Sequence, residues 1–145
     1  MKILEISTER RHIGNLGEKY AAIYLFLHGY RILAKNFVAK DAEIDIVAKK
    51  KKLIAFVEVK TQTIGAENIK KSRPSAAVDQ KKQKKIIKAA SYFSDKKLDE
   101  SRKRFDVIEV YLTKTKKGYR PSKIIHMVGA FDLNTAYEKN TRQLP

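Results

Sequence analysis

Residues 41–60 read DAEIDIVAKKKKLIAFVEVK, and they place acidic side chains inside two hydrophobic strand patterns. The first pattern, EIDIV, alternates with a period of two, so it predicts a strand with Glu43 and Asp45 on one face. The same alternation predicts that Ile44 and Ile46 lie together on the other face. Charged groups are costly in such a strand unless they have a partner or a function.

The second pattern, LIAFVEVK, covers 53–60 and also predicts a strand with two faces. Glu58 and Lys60 share one face, and the alternate positions form an apolar face that can pack on a core. The lysines between the two patterns predict a solvated turn over 49–52, so we interpret the pair as an antiparallel hairpin. A loop of two or four residues brings Asp45 to the face of Glu58 and Lys60, whereas a loop of three or five separates them.

Two acids and a lysine on one face of a strand pair suit divalent-metal chemistry. Carboxylate oxygens are the hard ligands that Mg²⁺ or Mn²⁺ prefers, and such an ion can bridge to phosphate oxygens. A lysine two residues beyond a ligating glutamate can hold or deprotonate the attacking water and stabilise charge on the phosphate. The competing interpretation is a surface ladder of ion pairs, and the spacing alone favours that simpler interpretation.

The spacing of Glu43-x-Asp45 and Glu58-x-Lys60 resembles the two halves of the PD-(D/E)xK nuclease core. The surrounding sequence is similar to the YraN-like family of small bacterial proteins over about 12–131. The segments that carry this resemblance are GNLGE at 14–18, GYRILAKN at 29–36, FVEVK at 56–60, KQ at 82–83 and RFDV at 104–107. One departure is Ala42, because the family usually has glycine before its E-x-D motif. This departure affects the local backbone turn and removes no ligand.

The resemblance implies a restriction-endonuclease-like α/β fold, in which a mixed β-sheet is flanked by helices in the order α-β-β-β-α-β-β. It also implies a metal-dependent endonuclease that hydrolyses DNA, with branched, recombination or repair intermediates as candidate substrates. Asp45 and Glu58 would hold Mg²⁺ or Mn²⁺, and Lys60 would act on the water. Glu43 and Glu18 would be auxiliary acids. Resolvase-like relatives work as symmetric dimers, so a homodimer is compatible with the resemblance.

Length and charge indicate one domain with a polyanionic partner. The 145 residues predict a single domain over 1–132 and a polar tail over 133–145 that frays from residue 134. The chain has 32 Lys and Arg against 16 Asp and Glu, a net charge of +16, which favours nucleic acid, DNA above all. The absence of cysteine excludes disulfides, zinc-thiolate sites and thiol catalysis. Short apolar runs predict no membrane span and no signal peptide, so a cytoplasmic location is expected.

The first helix is predicted to begin near residue 12 and to end at His28-Gly29, after a short strand at 3–6. An apolar stripe at helical spacing predicts its core-packing face. This stripe consists of Ile13, Leu16, Tyr20, Ile23, Tyr24 and Leu27. Glu18 lies nearly opposite the stripe on a helical wheel. It is therefore either a solvated residue or an acid that reaches the metal site, and both interpretations stay open.

A basic loop over 61–74 and a second helix over 75–93 supply the predicted nucleic-acid contacts. These residues are Lys70, Lys71 and Arg73 in the loop, and Lys81, Lys82, Lys84 and Lys85 in the helix. Clustered lysines repel one another unless an anion is near, although a solvated lysine-rich helix is the alternative. Lys82 matches the family motif, so it is the lysine predicted to lie nearest the scissile phosphate.

Two later strands complete the prediction, over 105–112 and 123–128, and the second contains His126, which we interpret as structural. Two function classes stay open: a nuclease, and a nucleic-acid-binding module on the same fold whose site is weak or unused. Both need the basic surface. The acids favour the nuclease, because carboxylates repel a phosphate backbone unless a cation bridges them. A structural partner in a larger DNA-processing complex is a third, more remote option.

Overall fold

The structure is a computed structural model that describes residues 3–64, 78–93 and 101–137. Its elements are α1 (Ile3–Leu27), β1 (Arg31–Ala39), β2 (Ala42–Lys50), β3 (Leu53–Ile64), α2 (Gln80–Ser91), β4 (Arg102–Thr115), β5 (Gly118–Phe131) and α3 (Leu133–Tyr137). The α/β class and the order α-β-β-β-α-β-β are therefore confirmed, with one short helix added at the end.

One five-stranded sheet, in the order β1-β2-β3-β4-β5, forms the centre of the fold. Neighbouring strands are antiparallel except β3 and β4, which are parallel, so the sheet is mixed as predicted. A parallel pair cannot be joined by a tight turn and needs a crossover connection. Helix α2 lies in this crossover and packs on one face of the sheet, while α1 packs on the other.

Each face of the sheet carries its own hydrophobic cluster. On the α1 side, Ala21 and Leu25 pack with Val57 of β3. On the α2 side, Ile86 packs with Phe56 of the same strand. Strand β3 is therefore buried on both faces over 54–58, which explains why the first half of its sequence is a nearly continuous apolar run.

The β2–β3 hairpin has the register that brings the predicted acids together. Its turn is residues 51–52, and this two-residue length is one of those that the sequence required. The last paired residues before the acids are Ile46 and Val57. One further step along the ladder places Asp45 opposite Glu58.

Strand β2 does not keep the strict alternation predicted for EIDIV. Ile44 lies in the cluster on the α2 side, whereas Ile46 lies in the cluster on the α1 side. The flanking register pairs place Asn36 of β1 opposite Asp45, and Asn36 has a φ of 53°. A positive φ departs from strand geometry, and asparagine is among the few residues that tolerate it. The strand pair therefore bends at the position of Asp45.

Helix α1 differs from its prediction in where it begins and in which face it buries. It begins at Ile3, so the short strand predicted at 3–6 is wrong; this stretch contains no glycine or proline that would stop the helix. The predicted stripe is also partly wrong, because Ile23 and Leu27 are exposed. Neither α1 nor any other helix in the described ranges is long and apolar enough to cross a membrane.

Small residues allow α1 to approach the sheet closely. Gly17 and Ala21 are buried, and a Cβ built on Gly17 would lie 1.7 Å from the Thr61 Oγ1 atom of β3. Only glycine therefore fits this contact. The helix rests on the face that carries Gly17, and this orientation turns the adjacent Glu18 toward the end of the sheet.

A buried polar network ties β4 to β5 and to α1. Asp106 is fully buried, and its carboxylate accepts hydrogen bonds from His126 Nε2 at 2.8 Å and Gly129 N at 2.9 Å. Arg104 also donates to both of its oxygens. Burial raises the pKa of Asp106, but these hydrogen bonds outweigh burial and lower it below its ordinary value. His126 also pairs with the Tyr24 hydroxyl, so its contacts are those of a structural residue.

The start of the predicted tail is structured. Residues Leu133–Tyr137 form α3, and its Ala136 is fully buried where α3 contacts α2. The prediction of fraying from residue 134 therefore does not hold for this turn, because a single small apolar side chain anchors it. The remaining tail, 138–145, lies outside the described residues.

Candidate metal and nucleic-acid site

The predicted acids come together at one end of the β2–β3 hairpin. Asp45 and Glu58 line two adjoining cavities of about 640 Å³ and about 480 Å³, which we call the acid groove. Glu18 of α1 lines the larger cavity, and Glu43 of β2 lines the smaller one. Glu18 is therefore half-buried in the acid groove and not a fully solvated helix residue, and its role as an auxiliary acid stays a prediction.

A hydrogen bond from β3 holds Asp45 in place, and burial and the neighbouring acids disfavour its ionised form. Its Oδ2 atom accepts a hydrogen bond from the backbone nitrogen of Val59 at 2.7 Å. Burial, followed by the charge of Glu58 and then that of Glu18, raises the pKa of Asp45 to about 7, although the Val59 hydrogen bond and Lys82 oppose the change. Such a carboxyl is protonated in about half of the molecules at neutral pH. A bound cation would favour its ionised form.

Glu58 is buried and paired with a lysine from α2. The Lys82 Nζ group donates a hydrogen bond to Glu58 Oε1. Burial lowers the pKa of Lys82, but the hydrogen bond and charge of Glu58, with the charge of Asp45, outweigh burial and raise it. Asp79 caps α2 by accepting from the Lys82 backbone nitrogen at 2.8 Å, which fixes where the helix begins. Lys82 thus lies beside the carboxylate that a metal ion would share.

Asn36 is a residue of this site that the sequence analysis did not select. In the amide orientation that satisfies its hydrogen bonds, its nitrogen donates to Glu43 Oε1 at 2.9 Å and to Glu18 Oε2 at 3.3 Å. Burial and then the charge of Glu43 raise the pKa of Glu18, and the Asn36 hydrogen bond opposes this. The only signal in the sequence was the place of Asn36 in the GYRILAKN segment.

Lys60 is the predicted residue that does not reach the acid groove. It is absent from the residues lining either cavity in the described part of the chain. In the ladder Lys60 pairs with Glu109 of β4, which is buried. Paired residues share a face, so Lys60 lies on the face of the sheet that carries Glu109. Of the three residues predicted to share one face, Asp45 and Glu58 line the groove and Lys60 does not.

The lysines of α2 divide between the groove and its surroundings. Lys81, Lys82 and Lys85 line the smaller cavity together with the acids. Lys84 lies elsewhere on the helix, with its Nζ atom 4.8 Å from the centre of the Tyr137 ring. The other predicted contacts, Lys70, Lys71 and Arg73, lie outside the described residues.

The acids of the groove fit a magnesium site in which the protein supplies only some of the ligands, and not a site in which it supplies all of them. Within residues 3–64, 78–93 and 101–137, no group of three or more His, Cys, Asp or Glu side chains is arranged to hold a metal ion. Asp45 and Glu58 therefore offer a set of two carboxylates. Mg²⁺ commonly binds through one or two carboxylates and completes its shell with water and substrate phosphate oxygens, so this set fits that ion.

Comparison with known proteins places the chain in a family. Residues 17–110 match the model described as "Uncharacterised protein family UPF0102". The chain belongs to the UPF0102 family. This confirms the resemblance to YraN-like proteins at the family level, whereas membership of the nuclease superfamily stays a prediction. The matched segment contains Glu18, Glu43, Asp45 and Glu58 and the α2 lysines. Three further residues that line the groove, Arg10, Ile13 and Gly14, precede it.

Individual relatives cover nearly the same length as this chain. The UPF0102 protein of Caldanaerobacter subterraneus subsp. tengcongensis is 44% identical over 123 residues, which are 84% of this chain and 96% of the relative. That of Trichlorobacter lovleyi is 46% identical over 123 residues, 83% of this chain and 91% of the relative. That of Chlorobium phaeobacteroides is 41% identical over 130 residues, 89% and 93% respectively.

Proposed function

We propose that this protein is a metal-dependent endonuclease that hydrolyses phosphodiester bonds in DNA. The observation that carries the proposal is the convergence of Asp45, Glu58 and Glu18 in one groove of a chain with a net charge of +16. Acids in a positive surface oppose phosphate binding unless a cation bridges them. The pKa of about 7 at Asp45 agrees with this proposal, because burial, and then the charges of Glu58 and Glu18, disfavour the ionised carboxylate, and a bound cation would favour it.

The roles of the acids follow from their burial and contacts. Glu58 is buried and Asp45 is half-buried on adjacent strands, and the two carboxylates would hold Mg²⁺ or Mn²⁺ between them. When bound, the metal ion would stabilise charge on the phosphate and lower the pKa of an attacking water. Glu18 and Glu43 are joined through Asn36 at the rim, where they accept hydrogen bonds and add negative charge.

Lys82 is better placed than Lys60 to bind the scissile phosphate. It lines the groove and contacts Glu58, whereas Lys60 does not line either cavity. A metal ion held by Glu58 would compete with the Lys82 ammonium for the same carboxylate. Lys82 would then be available to bind a phosphate of the substrate. Lys60 keeps its predicted role in positioning or activating water as the alternative.

A nucleic-acid-binding module with an unused site is the second candidate. The contact between Lys82 and Glu58 favours it, because an internal cation already balances one of the two proposed ligands. The two candidates share the basic surface and differ in whether metal ions change what happens to bound DNA.

A panel of labelled substrates separates the two functions. Linear, flapped and four-way-junction DNA, with an RNA of matched sequence, are incubated with Mg²⁺, Mn²⁺ or EDTA. We expect cleavage of at least one DNA with either ion, none in EDTA, and none by Glu58→Gln. Glu5→Gln, which removes one exposed acid from the start of α1, is the matched control and should cleave like the parent. If no substrate is cut with any divalent ion, the binding module replaces the nuclease.

A further inference from the structure

A basic cavity of about 580 Å³ lies at the opposite end of the sheet from the acid groove. Its lining residues are Tyr30, Lys50, Lys51, Lys52, Leu53, Arg102 and Arg104. No acid lines it within the described ranges. From Leu53 to Glu58, β3 advances five residues, which is about 17 Å at the usual rise of a strand. The basic cavity is therefore separate from the proposed catalytic site.

The topology of the sheet brings the cations of this cavity together. Strand β2 ends at Lys50, the hairpin turn supplies Lys51 and Lys52, and β4 begins at Arg102. In the parallel ladder Arg102 pairs with Leu53. Its backbone nitrogen donates to the Lys52 carbonyl at 2.8 Å. The positions of these residues are thus set by backbone hydrogen bonds.

Three hydrogen bonds hold the Arg104 guanidinium in place and leave its Nη1 group available. Its Nε donates to Asp106 Oδ1 at 2.8 Å, while its Nη2 donates to Asp106 Oδ2 at 2.7 Å and to the Tyr30 hydroxyl at 2.6 Å. Its Nη1 group has no hydrogen-bond acceptor among the described residues, and the side chain is 21% exposed. A guanidinium carries five N–H donors in a planar fork that matches phosphate oxygens. Two donors of a preorganised group therefore remain for a ligand in the cavity.

Tyr30 positions two of the cations over its ring. Lys50 Nζ lies 5.3 Å and Arg104 Cζ lies 5.9 Å from the ring centre. Gly29 lies beside the Lys50 side chain, and its φ of 88° is a left-handed conformation that favours glycine. Cation–π contacts of this kind help to hold the two cations in place.

Within the described ranges, Asp106 is the acid that balances a cation of this cavity, through Arg104. Among the described residues, Lys50, Lys51, Lys52 and Arg102 form no ion pair with an acid. Positive groups that the backbone keeps close together repel one another, and an anion between them removes this repulsion. The cavity is therefore complementary to a charged, multidentate acceptor.

We propose that the basic cavity binds a phosphate of a nucleic-acid backbone, at a position separate from the acid groove. The fork of Arg104 supplies directed hydrogen bonds, and the lysines and Arg102 supply charge at the rim. The preference for a phosphate anion rests on the cavity itself. The choice of nucleic acid as its source rests on the proposed function.

The test measures the affinity of a short labelled DNA duplex by fluorescence anisotropy in EDTA, where neither cleavage nor metal binding contributes. The cavity variant combines Lys51→Asn, Lys52→Gln and Arg102→Gln; asparagine suits the positive φ of Lys51, which is 55°. The matched control combines Lys116→Gln, Lys117→Gln and Arg120→Gln, which removes the same charge from exposed positions at the β4–β5 turn.

Loss of one or two phosphate contacts, at a salt slope of about −0.9 each, predicts affinity at least about tenfold lower in 0.1 M salt. The control variant should bind DNA less than about threefold more weakly than the parent, with the same dependence of affinity on salt concentration. Equal losses in both variants would overturn the inference. Thermal unfolding checks that each variant folds. If the triple variant does not fold, Lys51→Asn alone, in the exposed turn, should still lower DNA affinity, by a smaller factor.

A second measurement identifies the source of the phosphate. Inorganic phosphate is titrated into the parent and the cavity variant while backbone amide NMR shifts are followed. We expect saturable shifts at Lys52 and Arg102 in the parent and none at these positions in the variant. If phosphate shifts these amides but the cavity variant binds DNA like the control, the site takes free phosphate and the nucleic-acid inference is overturned. Loss of cleavage by Glu58→Gln tests the nuclease proposal separately and does not change either result.

Discussion

Replacing Asp45 with asparagine should make the metal-free protein more stable at pH 8 while leaving its stability at pH 4 nearly unchanged. Burial, with the charges of Glu58 and Glu18, raises the pKa of this carboxyl from 3.8 to about 7. Between these values the folded state binds more protons than the unfolded state. Folding stability is therefore lost as the pH rises through this window, because the folded state resists the ionisation that the unfolded chain accepts.

The size of the effect follows from the difference between the two pKa values. About three units at about 1.4 kcal/mol per unit give about 4 kcal/mol at pH 8, and less than about 1 kcal/mol at pH 4. Asparagine keeps an oxygen that can accept from Val59, but it stays buried and so retains part of the cost of desolvation. We therefore expect Asp45→Asn to gain about 2–4 kcal/mol in unfolding free energy at pH 8.

Urea unfolding of parent and variant at pH 4 and pH 8, in EDTA and in excess Mg²⁺, measures this directly. Mg²⁺ should stabilise the parent at pH 8 by an amount that grows with its concentration relative to Kd, and should stabilise the variant much less. The reasoning is refuted if Asp45→Asn is less stable than the parent at pH 8. It is also refuted if the gain is the same at both pH values.

Three further substitutions test other parts of the structure. Gly17→Ala should cost about 2 kcal/mol of unfolding free energy through the clash with Thr61. Thr61→Ala in the same chain should restore part of this loss in a double-mutant cycle, and an absence of coupling would contradict the close approach. Lys82→Ala leaves Glu58 unpaired, so calorimetry should give Mg²⁺ binding about tenfold tighter while DNA cleavage falls; weaker metal binding would contradict the competition. Asp106→Asn removes the charge from the buried network with an arginine and a histidine, and should cost about 3 kcal/mol in urea unfolding; a neutral result would contradict its lowered pKa.

The hairpin and its acids could be predicted because the information was local. Alternation in FVEVK, together with an even number of turn residues, is enough to bring Asp45 and Glu58 to one face. The face of α1 was less accessible to prediction. Hydrophobicity marked Ile23 and Leu27 as core residues. The contact with the sheet is made instead by small residues such as Gly17, which has no Cβ atom to clash with Thr61.

The rest depended on backbone geometry and on pairings between distant segments. The role of Asn36 follows from a positive φ at the bend in β1, which no pattern of hydrophobicity encodes. Alternation placed Lys60 on the face of Glu58, but two residues along a strand are about 7 Å, which is enough to leave the groove. The basic cavity arises only when β4 pairs in parallel with β3, with Arg102 beside Leu53.

The most direct test of the central proposal is single-turnover cleavage of a labelled four-way junction, with protein in excess over DNA. The parent and Asp45→Asn are compared in Mg²⁺ and in EDTA, and their binding to the same DNA is measured in EDTA. We predict that the parent cuts only with Mg²⁺, and that Asp45→Asn does not cut but binds at least as tightly, because one repulsive charge is lost. Cleavage by Asp45→Asn at the parent's rate, or by the parent in EDTA, would contradict the assignment of Asp45 as a metal ligand.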